Sequence, residues 1–176
     1  MVVLRAALLR GVVSSGVCFL FAGASACAAP PPGFLLVDAT AVAPGTPRVL
    51  TTAIVDAAHA TLTLTLKDVG PAFGVSVHVL LANTVQVDDI AVLPVLGDAN
   101  EVIPVRSTNG IDVSVGAVRR DGVERALADG PFAILTVTAQ DAAPVHLVVE
   151  RALVRRSDGS FVPLAAQSGV LTLEAP

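Results

Sequence analysis

The chain contains no Trp and no Tyr, and two of its six Phe, Phe19 and Phe21, fall in an N-terminal apolar run. A site that stacks sugars, bases or flat ligands on an aromatic platform has little here to be built from. Cysteine is equally scarce. Cys18 and Cys27 both lie within the first 27 residues, so the remainder has neither an internal disulfide nor a thiolate-held metal. Charge is thin, at 15% of 176 residues, with 11 Lys+Arg against 15 Asp+Glu. The net charge of -4 and the lack of a basic stripe set nucleic acid aside, because phosphates need clustered Lys and Arg. There is no G-x-S-x-G elbow, no H-E-x-x-H and no P-loop. A paired-carboxylate glycosidase site would need an aromatic-lined cleft as well as its acids. The expectation is no enzyme and no cofactor.

What the chain does have begins with an export pattern. Arg5 and Arg10 precede an uncharged, largely apolar stretch from Gly11 to Ala26, which closes on the small residues Ala22, Gly23, Ala24, Ser25 and Ala26. That order is a secretory signal peptide over residues 1–26. A retained membrane helix is the rival, since the stretch approaches the ~20 apolar residues a bilayer needs. The small residues and Pro30, Pro31, Pro32 and Gly33 favour cleavage. Ala24-Ser25-Ala26-Cys27 resembles a bacterial lipobox, which assigns Cys27 as a lipidation site, although the usual Leu is replaced by Ala24. Cleavage after Ala26 or Ala28 by the ordinary A-x-A rule is the alternative. Lipidation accounts for what would otherwise be a lone thiol in an oxidising compartment. Two acyl chains would anchor the domain to a membrane, with residues 27–33 as a short stiff spacer. Loss of Arg5 and Arg10 with the signal would leave 9 basic and 15 acidic side chains, an acidic exported domain of net charge -6.

Residues 34–176 read as strands. From Ala58 to Lys67, Ala60, Leu62, Leu64 and Leu66 fall on one side and His59, Thr61, Thr63, Thr65 and Lys67 on the other, the period of a half-buried strand. Phe73 to Leu81 repeats it after a turn at Asp68 to Pro71. Residues 69–87 carry no charge, yet their period and their Gly, Pro, Asn and Gln reject a membrane span. Further strands are expected at Phe34–Thr40, Val49–Asp56, Val85–Val92, Glu101–Arg106, Ile111–Val118, Phe132–Thr138, Val145–Val154 and Gly169–Leu173, with Val123–Ala128 left for one helical turn. About nine strands with turns every ~8 to 12 residues imply an all-β, two-sheet sandwich or a barrel.

The candidate functional side chains are few. His59 and His78 take outward strand phases and His146 an ambiguous one, with no His, Cys or acid at metal-ligand spacing, so they read as surface residues. Asp88, Asp89, Asp98 and Glu101 lack the D-x-D-x-D-G rhythm of a calcium loop and read as solvated. Arg119-Arg120 and Arg155-Arg156 sit beside D-G turns, where solvated charge is expected, with an anion or protein-contact patch as the functional alternative. Leu80, Ala82, Val148 and Val154 are apolar at outward phases and point to a second buried face or a partner surface.

The order of elements resembles the cohesin-like domain of the carbohydrate-binding superfamily. The carrying residues are the threonine-rich strand Ala60 to Lys67, the Gly-containing strand Phe73 to Leu81, and Gly130-Pro131-Phe132-Ala133-Ile134-Leu135-Thr136-Val137. The closing strands Val145 to Val149, Ser157 to Val162 and Gly169-Val170-Leu171-Thr172-Leu173 follow. Leu81-Ala82-Asn83 stands where that family has Tyr-Asp-Pro, and Val137 where it has Phe. The resemblance implies a jelly-roll β-sandwich of about nine strands that is not catalytic and binds a protein, with a dockerin-like partner as one form. No dockerin-contacting residue carries over. The reading is an exported, lipid-anchored binding or structural module of the bacterial envelope, at the outer membrane in a Gram-negative host and otherwise periplasmic or extracellular. A polysaccharide-binding module of a surface lipoprotein is the alternative.

Overall fold

The computed structural model describes residues 34–36, 42–141, 144–166 and 169–173. The signal segment, Cys27 and the spacer at residues 27–33 lie outside the described residues, as do residues 37–40 of the first expected strand. Among the described residues there is no helix, and so none long and apolar enough to cross a membrane.

Period-two sequence becomes sheet. In order, the strands are β1 (Phe34–Leu36), β2 (Arg48–Asp56), β3 (His59–Lys67), β4 (Pro71–Ala72), β5 (Gly74–Leu81), β6 (Val85–Val92) and β7 (Val102–Asn109). They continue with β8 (Asp112–Arg119), β9 (Arg125–Ala126), β10 (Gly130–Ala139), β11 (Pro144–Arg155), β12 (Phe161–Pro163), β13 (Ala165–Ala166) and β14 (Gly169–Thr172). The long strands fall where the alternation places them. The strands with no counterpart among the expected segments are the two-residue pieces β4, β9 and β13, while β12 begins within the closing strand expected at Ser157 to Val162.

Two sheets result. The front sheet runs β1-β14-β11-β5-β8-β7, and the back sheet β13-β2-β3-β10-β6. β11 is long enough to hold β14 near its start and β12 near its end, opposite the edge that it gives to β5. Between the sheets lies one apolar core. Leu62, Leu64 and Leu66 of β3 and Phe132, Leu135 and Val137 of β10 join Val75, Val77 and Val79 of β5 and Val113, Val115 and Ala117 of β8. All of these are in-facing members of alternating strands, and their burial is the main stabilising term.

The expected helical turn at Val123–Ala128 is not formed. Arg125–Ala126 pairs instead with Pro71–Ala72 as a two-stranded ribbon. A single helical turn fixes several dihedrals for one hydrogen bond, whereas an extended partner already waits at β4. Val154 is also corrected, since it lies fully buried in the core and not at an outward phase. The extra residue Glu150, opposite β5 between Val149 and Arg151, shifts the alternation along β11 by one.

The edge strands β7 and β6 are blunted. Pro104 removes an N–H from β7, and Asp88 and Asp89 place charge at a register shift in β6. Arg106 Nη1 donates to the Ile90 carbonyl at 2.9 Å and ties one edge to the other.

Candidate functional site

The outward residues of the front sheet form rows that the register fixes. One row crosses five strands as Phe161, Arg155, Gly74, Val118 and Ile103, and the next as Pro163, Leu153, Ser76, Gly116 and Val105. Gly74 and Ser76 contribute almost no side chain, so the flanking Val118, Leu153 and Phe161 wall a shallow cleft of about 190 Å³. Beside the cleft, a Cβ at Gly116 would sit 3.1 Å from the Val75 carbonyl and 3.6 Å from Val105 Cβ, so glycine suits the close approach of the strands there. Small-molecule pockets run to ~300–1,000 Å³; this cleft seats a side chain. Phe161 is 58% exposed at its rim. The Arg155 guanidinium lies 5.1 Å from the Phe73 ring and 5.7 Å from the Phe161 ring, a cation–π stack that holds the exposed ring in place.

A polar row follows. His78 of β5 receives Glu150 on Nδ1 at 2.8 Å and Asp112 on Nε2. Asp112 comes from the start of β8, while Glu150 is delivered by a β-bulge in β11, so that Glu150 and Arg151 together oppose His78. Beyond it, Val148 and Leu80 continue the apolar surface.

The back face differs. Thr52, Thr63, Ile134 and Ala91 make one row, and Ile54, Thr61, Thr136 and Asp89 the next. At one end Thr138 donates to Asp88 at 2.5 Å, so His59 Nδ1, at 2.8 Å, supplies the proton to the Thr138 oxygen. At the other, Arg48 pairs with Asp68 and Lys67 with Asp129, each at 3.2 Å. The Asp129 carboxyl is held below the usual carboxylate range by the Asp68 N–H and then by Lys67.

Of the expected solvated arginines, Arg119 is the exception, only 2% exposed. Its guanidinium donates to both Asp121 oxygens, at 3.0 and 2.5 Å, to the Leu96 carbonyl at 2.7 Å and to Glu101 at 3.2 Å. Asp121 is the first cause of the upward pull on the Arg119 pKa, and Arg119 the first cause of the downward pull on that of Asp121. Gly97, at φ +134°, is required beside it, since a Cβ would lie 2.6 Å from both Arg119 Nη1 and Glu101 Oε2. A neighbouring hollow of about 410 Å³ between Pro94–Ala99 and Arg125–Ala128 therefore borders a cation that is already saturated.

Sequence spacing thus finds the outward phases of His59 and His78 but not their partners, which lie in other strands. His146 is exposed. Asp88, Asp89, Asp98 and Glu101 do not converge: Asp88 serves Thr138, and Glu101 serves Arg119. Among the described residues, no group of three or more His, Cys, Asp or Glu is placed to hold a metal ion.

No protein-family model matches the sequence. No curated protein matches it either. Solved structures do. A non-cellulosomal cohesin from the archaeon Archaeoglobus fulgidus superposes with a TM-score of 0.57 at 10% identity, over 73% of this chain and 91% of that one. A cohesin module of a family 33 glycoside hydrolase from Clostridium perfringens gives 0.57 at 13% identity, over 74% and 100%. A chain of a type I cohesin–dockerin complex from Clostridium thermocellum gives 0.59 at 10% identity, over 73% and 99%. Identity this low speaks for the fold alone, and on that ground the described domain is a cohesin-like, jelly-roll β-sandwich.

Proposed function

We propose that this chain is a non-catalytic protein-binding module that docks its partner on the outer face of the front sheet. The observation that carries the reading is the cleft over Gly74 and Ser76 with exposed Phe161 at its rim. It is an aromatic anchor beside a low floor, walled by Val118 and Leu153, with exposed Ile103 and Val105 continuing the same face on β7. Binding energy concentrates in such anchors. Arg151 and Arg155 flank the cleft on the same face and have no ion pair among the described residues. The partner that fits is a protein segment that offers an aliphatic side chain to the cleft and carboxylates to these arginines. Complexes of cohesins with dockerins among the structural neighbours support a protein partner of this general kind. Polysaccharide is disfavoured, because Phe161 is the one exposed ring among phenylalanines of described burial.

The remainder of the proposal concerns location. The signal-like residues 1–26 and the lipobox-like Ala24-Ser25-Ala26-Cys27 support export and anchoring of the module to a bacterial envelope membrane through lipidated Cys27. Mass spectrometry of the mature N-terminus tests this: a diacylated Cys27 is expected, and a free Ala29 terminus would end the lipoprotein reading.

Docking is tested by capture from the host's envelope and secreted fractions, with the full chain as bait beside Phe161→Asp and Ile54→Asp variants. The expected result is a protein retained by wild type and by the Ile54 variant but lost from the Phe161 variant. Retention by all three, or loss with Ile54 alone, rejects the front face.

A further inference from the structure

His78 has an acidic acceptor on each ring nitrogen, Glu150 at Nδ1 and Asp112 at Nε2. Carboxylates accept and do not donate. A neutral imidazole has one N–H and one lone pair, so it would satisfy one carboxylate and turn its lone pair on the other. Only the imidazolium donates in both directions. Histidine is also the side chain whose charge ordinarily changes between about pH 5 and 8.

We infer that Glu150, His78 and Asp112 form a proton-operated clasp across β11, β5 and β8. The three groups come from three neighbouring strands, and the β-bulge at Glu150 exists in register to bring a second outward side chain opposite His78. The charged groups around the ring are Asp112 from β8, and Glu150 and Arg151 from β11. The row beyond β8 continues with Ser114 and Ser107, which are uncharged. With His78 protonated, the ring donates to both carboxylates and the three groups carry a net charge of -1. Loss of the proton leaves -2, and one carboxylate faces a lone pair. That carboxylate releases its strand-to-strand contact and turns to water. The clasp forms at low pH and opens as pH rises. It lies on the face proposed above for docking, but it exists or fails whether or not a partner binds there.

Two measurements on the full chain decide it. Long-range 1H–15N spectra resolve the histidine rings, with the His78 signals assigned by their loss in His78→Gln. The expected result is a doubly protonated ring at pH 5 that becomes a single tautomer by pH 8. In parallel, melting midpoints of wild type and His78→Gln are compared across that range. The wild-type advantage should shrink as pH rises, and both Glu150→Gln and Asp112→Asn should flatten the trend. A neutral His78 ring at pH 5, or a wild-type advantage that does not change with pH, overturns the clasp. Absence of any captured partner leaves these readouts intact and bears only on the docking proposal.

Discussion

The two outer faces of this sandwich are built from strands of the same period on opposite sides of one core, yet they carry different surfaces. The back face is a field of threonines, with Thr52, Thr61, Thr63 and Thr136 in neighbouring rows and ion pairs at one end. It has one large apolar outlier, Ile54, at 75% exposure. The front face groups its exposed apolar residues, Ile103, Val105, Val148 and Phe161, around glycines and a histidine with two acidic partners. Burial alone does not separate them. β-branched threonine satisfies strand propensity and stays hydrated, so the back face meets the demands of folding without need of a partner. The front face spends exposed apolar area and low-propensity Gly in mid-strand, features that stability does not select.

This contrast rests on a shared interior, so the largest effect should ignore it. Phe132→Ala, fully buried, is expected to cost about 3–5 kcal/mol. Chemical denaturation should show one cooperative transition shifted as a whole; a transition that split in two would mean that the faces belong to separable units. Next comes Phe161→Ala. Partner capture is expected to fall at least tenfold, about 1.4 kcal/mol or more by titration calorimetry. Ile54→Ala, which removes a more exposed side chain from the back face, should leave affinity unchanged, and equal losses would erase the distinction.

Acid should act on both sides of the molecule. Asp121 is held below the usual carboxylate range first by Arg119, Asp129 first by the Asp68 N–H, and Asp158 first by Ser160. A carboxyl depressed in the folded state adds stability that is complete above its unfolded value and is lost as protons bind. The stability that these three carboxyls add should therefore be complete from neutrality down to roughly pH 4 and decline below it. Asp129→Asn and Asp121→Asn should each make that decline shallower in denaturation curves taken at several pH values. The smallest effect is reserved for Thr63→Val on the back face, expected within about 0.5 kcal/mol of wild type. A larger loss would mean that the threonine field does more than cover the sheet.

Much of the fold was legible because its strands alternate strictly. The pattern from Ala60 to Lys67 and the uncharged strand through Val75 to Leu81 assign core and surface residue by residue, and the structure agrees. Four things were not legible. The bulge at Glu150 changes the phase of β11, which is why Val154 reads as outward from sequence and lies inside. The partners of His78 are 34 and 72 residues away, beyond any local spacing rule. Arg119 beside a D-G turn carries the signature of a solvated charge, and only the tertiary approach of Leu96, Gly97 and Glu101 encloses it. The front-face cleft was not legible: the resemblance placed a closing strand at Ser157 to Val162, within which Phe161 opens β12, but only the pairing of Arg155 with Phe161 and Gly74 brings that ring to the rim.

The topology also sets a timetable. β3, at the heart of the back sheet, finds its second neighbour only in β10, and β5 in the front sheet waits for β8 and then β11. The back-sheet border β13, and β14, which joins β1 to β11 in the front sheet, are supplied by residues 165–172. A nascent polypeptide thus exposes greasy half-sheets until its last stretch is made, and contacts so distant along the chain form slowly. Whatever shelters this protein during its biogenesis must shelter nearly the whole domain at once, since no early portion completes either layer.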